Sequence, residues 1–346
     1  MKYSLVKAQM IGVRTICMLF VMAVVASCSG NTDNTPQVEA DPEVERTIYL
    51  ADPTIFHHEG TYYLYGTVAR DANQGFLVYT SSDMQSWEGP QGVNEGYALR
   101  KEDVYGDKGF WAPQIFHHQD KFYLAYTANE QIAIAESDSP LGPFTQAVKD
   151  SLSAPMKQID PFVFIDDDGT KYLYHVRLTE GNRLFVAEME DDFSAIKPET
   201  LQECISAVEP WENTENVEWP VAEGPSILKH NGLYYFAYSA NDFRNPDYAV
   251  GFAVSESPYG PWKKYSGNPI MSRADIGING TGHGDFVNDD QGNLHYVFHT
   301  HYSETTVSPR KSAVVQAQFT APQNDTDTMD VLTIDDESFY YLKLEE

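Results

Sequence analysis

Three carboxylic acids and a histidine stand at the starts of five similar segments of this chain. The segments are DPTIFHHEGTYYLYGT from Asp52, APQIFHHQDKFYLAYTA from Ala112, DPFVFIDDDGTKYLYHV from Asp160, GPSILKHNGLYYFAYSA from Gly224 and GDFVNDDQGNLHYVFHT from Gly284. Their starts offer Asp52, Ala112 preceded by Trp111, Asp160, Glu223 just ahead of Gly224, and His283 just ahead of Gly284. Asp and Pro open strands after turns for conformational reasons alone. Ala112 indicates, however, that the repeat does not require an acid there, so acids recurring at that register point to chemistry. Carboxyl groups brought together repel and raise one another's pKa, which lowers stability and usually accompanies function. Cleavage of a glycosidic bond needs such a set: one carboxylic acid protonates the departing oxygen while a second carboxylate activates water or attacks the anomeric carbon.

Distant acids can meet only if the fold gathers the segment starts. Each segment holds an apolar strand, a tight polar turn and an aromatic-rich strand, and the anchors Pro53, Pro113, Pro161, Pro225 and Asp285 are spaced by 60, 48, 64 and 60 residues. Tyr, Phe, Val and Ile in short runs, punctuated by Gly, Asn and Asp, favour strands over helices. Four units carry a third strand leading to a Ser/Asp/Pro turn: GFLVYTSSDMQSW, QIAIAESDSPLGPF, RLFVAEMEDDFSAI and YAVGFAVSESPYGPW. Four strands in roughly 50 to 60 residues is the size of a propeller blade. The expectation is an all-β protein, a five-bladed β-propeller, in preference to a β-sandwich, which rarely repeats one hairpin in register. In a propeller the innermost strands face the axis, so their starts converge at one mouth. The tail from Ala313 to Leu344 either completes the last blade or packs against the first. The pairs His57-His58 and His117-His118 fall near the hairpin turns, remote from the mouth, and read as structural. Asp166-Asp167-Asp168-Gly169 reads as a hairpin turn, since it lacks the spaced Glu of a calcium loop.

The compartment is set by the first residues. Lys2, Lys7 and Arg14 precede a short apolar run from Ile16 to Ala26, the pattern of a signal peptide over residues 1–27. Val25-Ala26-Ser27-Cys28 is similar to a lipobox, which makes Cys28 the lipidation site. Residues 28–44 are polar and read as a flexible tether, leaving residues 45–346 as the propeller. The expected location is a bacterial cell envelope, with the membrane reached only through the lipid. Cys204 alone remains in the folded part, so no internal disulfide forms. With 51 Asp+Glu against 23 Lys+Arg, the formal net charge is −28, which repels nucleic acid and anionic surfaces but not a neutral glycan. A monomer is expected.

The chain resembles glycoside hydrolase family 43. The resemblance is carried by Ala51-Asp52-Pro53, Trp111-Ala112-Pro113, Ile159-Asp160-Pro161 with its following Asp-Asp-Asp-Gly, Ala222-Glu223-Gly224-Pro225 and Thr281-Gly282-His283. It implies an inverting mechanism with Asp52 as general base, Glu223 as general acid, and Asp160 orienting Glu223 and tuning its pKa. It also implies His283 beneath the site, beside a hydrated calcium ion on the axis, and Arg310 as a sugar-binding residue. Trp111 at the mouth is suited either to stacking on a sugar face or to packing between blades. The implied activity is exo-cleavage releasing a pentose from plant-derived glycan, α-L-arabinofuranose first, then β-xylosidase, then arabinan or galactan cleavage. Fructan-cleaving relatives usually carry a Trp-Met-Asn-Asp-Pro-like sequence, which Tyr49-Leu50-Ala51-Asp52-Pro53 does not match. A non-catalytic surface glycan-binding lipoprotein is the alternative of another class, opposed by the presence of all three acids.

Overall fold

The computed structural model describes residues 46–322 and 329–346. The expected leader, Cys28 and the tether lie outside the described residues.

Each repeat folds as an antiparallel hairpin extended outward by a third strand. The first blade is built on Leu50–His58, Thr61–Val68 and Tyr79–Ser81, and the second on Trp111–His118, Lys121–Ala128 and Gln131–Ser137. The third uses Gln158–Ile165, Lys171–Leu178, Asn182–Glu188 and Gln202–Ile205. The fourth uses Ala222–His230, Leu233–Ala240, Ala249–Ser255 and Lys263–Lys264, and the fifth Gly282–Asn288, Leu294–Thr300, Lys311–Thr320 and Val331–Tyr341. In the first and fourth blades a tight turn with two left-handed residues, Glu59 (φ 50°) with Gly60 (φ 75°) and Asn231 (φ 48°) with Gly232 (φ 80°), joins the inner pair, matching the twist of the flanking strands. Apolar clusters fill the spaces between neighbouring blades: Tyr65, Phe76, Phe110 and Tyr126 between the first two, Tyr174, Phe236 and Tyr238 between the third and fourth. The fold is the expected five-bladed propeller.

Both alternatives for the tail hold at once. Val331–Tyr341 is the outer strand of the fifth blade, and Lys343–Leu344 then pairs in parallel with Ser86–Trp87 of the first. Ile48 N–H donates to Leu342 O (2.9 Å) and its carbonyl accepts from Ser312 N–H (3.1 Å), so both ends of the domain close the ring.

All five inner strands slip register at one place: between Ala51 and Thr54, Trp111 and Gln114, Ile159 and Phe162, Glu223 and Ser226, and Gly282 and Asp285. A bulge of this kind re-aims a side chain. Its central residue is left-handed each time: Asp52 (φ 50°), Ala112 (φ 44°), Asp160 (φ 53°), Gly224 (φ 61°) and His283 (φ 48°). Non-glycine residues held there cost about 1–3 kcal/mol each. The register corrects the sequence alignment in one respect and agrees with it in another. Gly284, not Asp285, is the counterpart of the four prolines, which puts His283 itself at the bulge centre; Glu223 stands one residue before the centre, as expected, where the second blade carries Trp111.

The bulges are stitched to the preceding blade. Ala112 N–H donates to Thr67 Oγ1 (2.9 Å), Asp160 N–H to Thr127 Oγ1 (3.0 Å), His283 N–H to Ser239 Oγ (2.8 Å) and Asp52 N–H to His299 Nδ1 (3.1 Å). The acceptors share one position of the second strands, opposite Ala51, Trp111, Glu223 and Gly282. In the third blade that position is Val176, opposite Ile159. With no polar side chain there, Gly224 N–H donates to Asp160 Oδ2 instead, at 3.3 Å.

Candidate active site

The bulges aim Asp52, Asp160 and His283 at the axis, with Glu223 beside them. All four are buried, between 4% and 9% exposed. Asp52 Oδ2 accepts from Thr67 Oγ1 (2.7 Å) and Oδ1 from Arg310 Nη1 (2.8 Å), with His283 Nδ1 and His299 Nδ1 each 3.4 Å from Oδ1. Burial alone raises a carboxyl pKa. Here the Arg310 guanidinium, with the Thr67 hydroxyl donating to the carboxylate, outweighs burial and holds Asp52 well below the usual carboxylate range. Burial keeps both imidazoles toward the neutral form, so Arg310 is the fixed positive charge.

Glu223 is tuned the other way. Tyr248 O–H donates to Oε1 (2.9 Å) and Asn182 Nδ2 to Oε2 (3.0 Å). Burial, opposed by these bonds and reinforced by the charge on Asp52, pushes its carboxyl up to about 7. Asp160 is pushed up as well, by burial first and then by Glu223 and Asp52. Its Oδ2 binds Gly224 N–H and lies 3.9 Å from His283 Nδ1. Gly224 cannot be larger, because a Cβ there would lie 2.9 Å from His283 Cγ.

Arg310 therefore reaches the site, through Asp52. Its guanidinium also lies over the Phe243 ring, 4.5 Å from the centroid. Trp111 sits at the rim, 36% exposed, its ring against Gly109. His283 lines an axial cavity with Gln114 and Asp285. Among the described residues no three His, Cys, Asp or Glu side chains converge as metal ligands. Asp285 is half-buried, and its oxygens meet the hydroxyls of Thr54 (2.9 Å) and Ser226 (2.8 Å) and the N–H of Phe286. That donor set suits a cation held mainly by water, not one caged by protein.

Two buried carboxyls on the first and fourth blades, one held low and the other pushed up to about 7, make the kind of unequal pair that glycoside hydrolysis requires. The sequence model of glycosyl hydrolases family 43 matches residues 47–322. The chain belongs to this family, and it is a glycoside hydrolase. The hydrolase is 31% identical over 265 residues to xylosidase/arabinosidase 43A of Humicola insolens, covering 62% of this chain and 78% of that protein. Among solved structures it is similar to an endo-1,4-beta-xylanase of Bacteroides thetaiotaomicron, with 42% identity, a TM-score of 0.77, and 87% and 98% of the two chains covered. A thermostable family-43 glycoside hydrolase is 37% identical with a TM-score of 0.73, covering 83% of this chain and 92% of that one.

Several residues around the hydrolase carboxyls escaped the sequence reading. Thr67 and His299 end second strands at one repeat position, so aligning Gly-Thr, Tyr-Thr, His-Val, Tyr-Ser and Phe-His at the hairpin ends would have exposed them. Asn182, Trp219 and Tyr248 lie in or beside inter-strand connections of the third and fourth blades, where no repeat signal exists.

Proposed function

We propose that this hydrolase inverts configuration and acts from chain ends or side branches, releasing a pentose, α-L-arabinofuranose first, from plant polysaccharide or oligosaccharide. Asp52 is the general base, Glu223 the general acid and Asp160 the residue that positions Glu223. The observation that carries the reading is the opposite tuning of two buried carboxyls. Asp52, ionised against Arg310 and oriented by Thr67, takes a proton from water attacking the anomeric carbon. Glu223, protonated near neutrality, gives its proton to the leaving oxygen. Asp160 accepts from Gly224 N–H and so fixes the backbone beside the acid, while its shared burial with Glu223 favours retention of a proton. Trp111 is a rim contact for sugar. A calcium ion on the axis near His283, held mainly by water, would supply a positive field beneath the carboxyls.

A pentose is supported by the name of the Humicola relative, a xylosidase/arabinosidase, and xylan cleavage is the second reading, favoured by the name of the xylanase at 42% identity. The test is a panel of nitrophenyl α-L-arabinofuranoside, β-D-xyloside and galactosides, with arabinoxylan and xylan alongside, assayed on wild type and Asp52→Ala. The arabinofuranoside should be cleaved fastest, and NMR should detect the inverted anomer first. Xylan cleavage into oligosaccharides would favour the second reading. Activity surviving in Asp52→Ala would overturn both. The leader, with Cys28 after Val25-Ala26-Ser27, supports anchoring of a monomer in a bacterial envelope by lipid. Loss of membrane fractionation in Cys28→Ala is the expected result.

A further inference from the structure

We infer that Trp219 forms the platform of the subsite on the leaving-group side of the scissile bond, and that it positions Glu223 through Asn182. The inference rests on reading Glu223 as the general acid. Trp219 Nε1–H donates to Asn182 Oδ1 at 3.0 Å, and Asn182 Nδ2 donates to Glu223 Oε2 at 3.0 Å. An asparagine amide can present either end to a neighbour, but an indole N–H is a donor only. Its bond therefore fixes Oδ1 toward the tryptophan and Nδ2 toward the carboxyl. Asn182 is a positioning residue, and the indole is what orients it.

Trp219 is 47% exposed, although large apolar side chains are mostly buried here. Its polar edge is engaged inward, which leaves apolar ring surface for the C–H face of a sugar. The side is set by chemistry. Glu223 must reach the oxygen of the leaving group, and the indole is separated from that carboxyl by one residue. Asp52, with Arg310, serves the water.

The segment bearing Trp219 is held firmly, as a platform must be. Glu212, fully buried, accepts from Val208 N–H (2.7 Å), Glu209 N–H (2.7 Å), Lys264 Nζ (2.6 Å) and Tyr238 O–H (2.5 Å). Asn213 brackets Val217 by bonds to its N–H (2.9 Å) and carbonyl (3.0 Å), and Asn182 N–H donates to Pro220 O (2.9 Å).

The test compares Trp219→Phe, Trp219→Ala, Asn182→Ala and the double variant Trp219→Phe/Asn182→Ala on arabinoxylan oligosaccharides and on nitrophenyl arabinofuranoside. Asn182 donates to the carboxylate form of Glu223, so weakening that bond raises the acid's pKa. Trp219→Phe keeps a ring but no donor. It should leave KM for oligosaccharides within about twofold, lower kcat, and move the basic limb of the pH profile up by roughly one unit, the size of one lost hydrogen bond to a carboxylate. Asn182→Ala should shift the limb likewise, and the double variant no further. Trp219→Ala should in addition raise KM for oligosaccharides by roughly tenfold, leaving nitrophenyl KM nearly unchanged, as expected for one lost stacking contact. An unmoved basic limb in Trp219→Phe, or equal KM changes for both substrates in Trp219→Ala, would overturn the inference. Glu223→Gln separates it from the reading beneath: if that variant loses oligosaccharide and activated substrate equally, the acid assignment fails. If it spares the activated substrate while the Trp219 variants change nothing, only the platform and relay fail.

Discussion

Arg310 Nη1 lies 2.8 Å from Asp52 Oδ1, although the two residues are 258 positions apart in the chain. A carboxyl buried on the propeller axis should resist ionising, and the guanidinium reverses that. Removing it in Arg310→Ala leaves burial unopposed, so the pKa of Asp52 rises. Activity that depends on ionised Asp52 is lost as pH falls through that pKa, and the acidic limb of kcat/KM should move up by roughly one to three units. Arg310→Lys should restore part of the range. An acidic limb that stays in place would count against Asp52 as the base.

Removing either carboxyl should lower turnover of natural glycan on the order of a hundred- to ten-thousandfold. The two variants then part company. Glu223→Ala should retain most activity on aryl glycosides with good leaving groups, which depart without a proton, whereas Asp52→Ala should lose both. Equal losses across leaving groups would show that Glu223 is not the acid.

Val176 leaves Gly224 N–H free for Asp160, so Val176→Thr is a test of what that arrangement does. A hydroxyl at 176 would compete for the N–H as Thr67, Thr127 and Ser239 do in the other blades. Release of Asp160 should lower kcat by roughly tenfold, which corresponds to about 1.4 kcal/mol of barrier. Thermal stability should change little. Unchanged kcat with a folded protein would detach Asp160 from the positioning of Glu223.

The left-handed bulges predict opposite outcomes at two equivalent positions. Ala112→Gly removes a strained Cβ at φ 44° and should stabilise the fold by about 1 kcal/mol in chemical denaturation. Gly224→Ala adds a Cβ at φ 61°, 2.9 Å from His283 Cγ. It should destabilise by about 1–3 kcal/mol from backbone strain alone, and it should displace the catalytic pair. Equal effects at the two positions would contradict the register.

The five hairpins made the propeller legible, because one blade cannot bury its faces alone and a repeated pattern reports the repeated solution. Asp52, Asp160 and His283 were legible for the same reason, since the bulge that aims them recurs. The off-by-one placement of Asp285 arose because the fifth inner strand carries Gly284 where the others carry proline, so the sequence lacks its punctuation there. Arg310 was visible only as a loose match, and its bond to Asp52 depends on ring closure, which no local pattern encodes. Asn182, Trp219 and Tyr248 were hidden because connections between outer strands differ from blade to blade. Their contribution depends on where each connection folds back, and a single sequence does not state that.

The proposed base is assembled across the seam of the ring. Asp52 belongs to the first blade, while Arg310 and His299 belong to the fifth, and the seam is held by Ile48, Leu342 and the pairing of Lys343–Leu344 with Ser86–Trp87. During synthesis the acid side, carried by the third and fourth blades, can form before the last strand exists, but the seam beside the base cannot close. A chain shortened before Val331 keeps Arg310 and His299 but loses the Leu342 bond and the Lys343–Leu344 pairing that hold the seam, so it should cleave glycan more slowly in a turnover assay, with the acidic limb moved up.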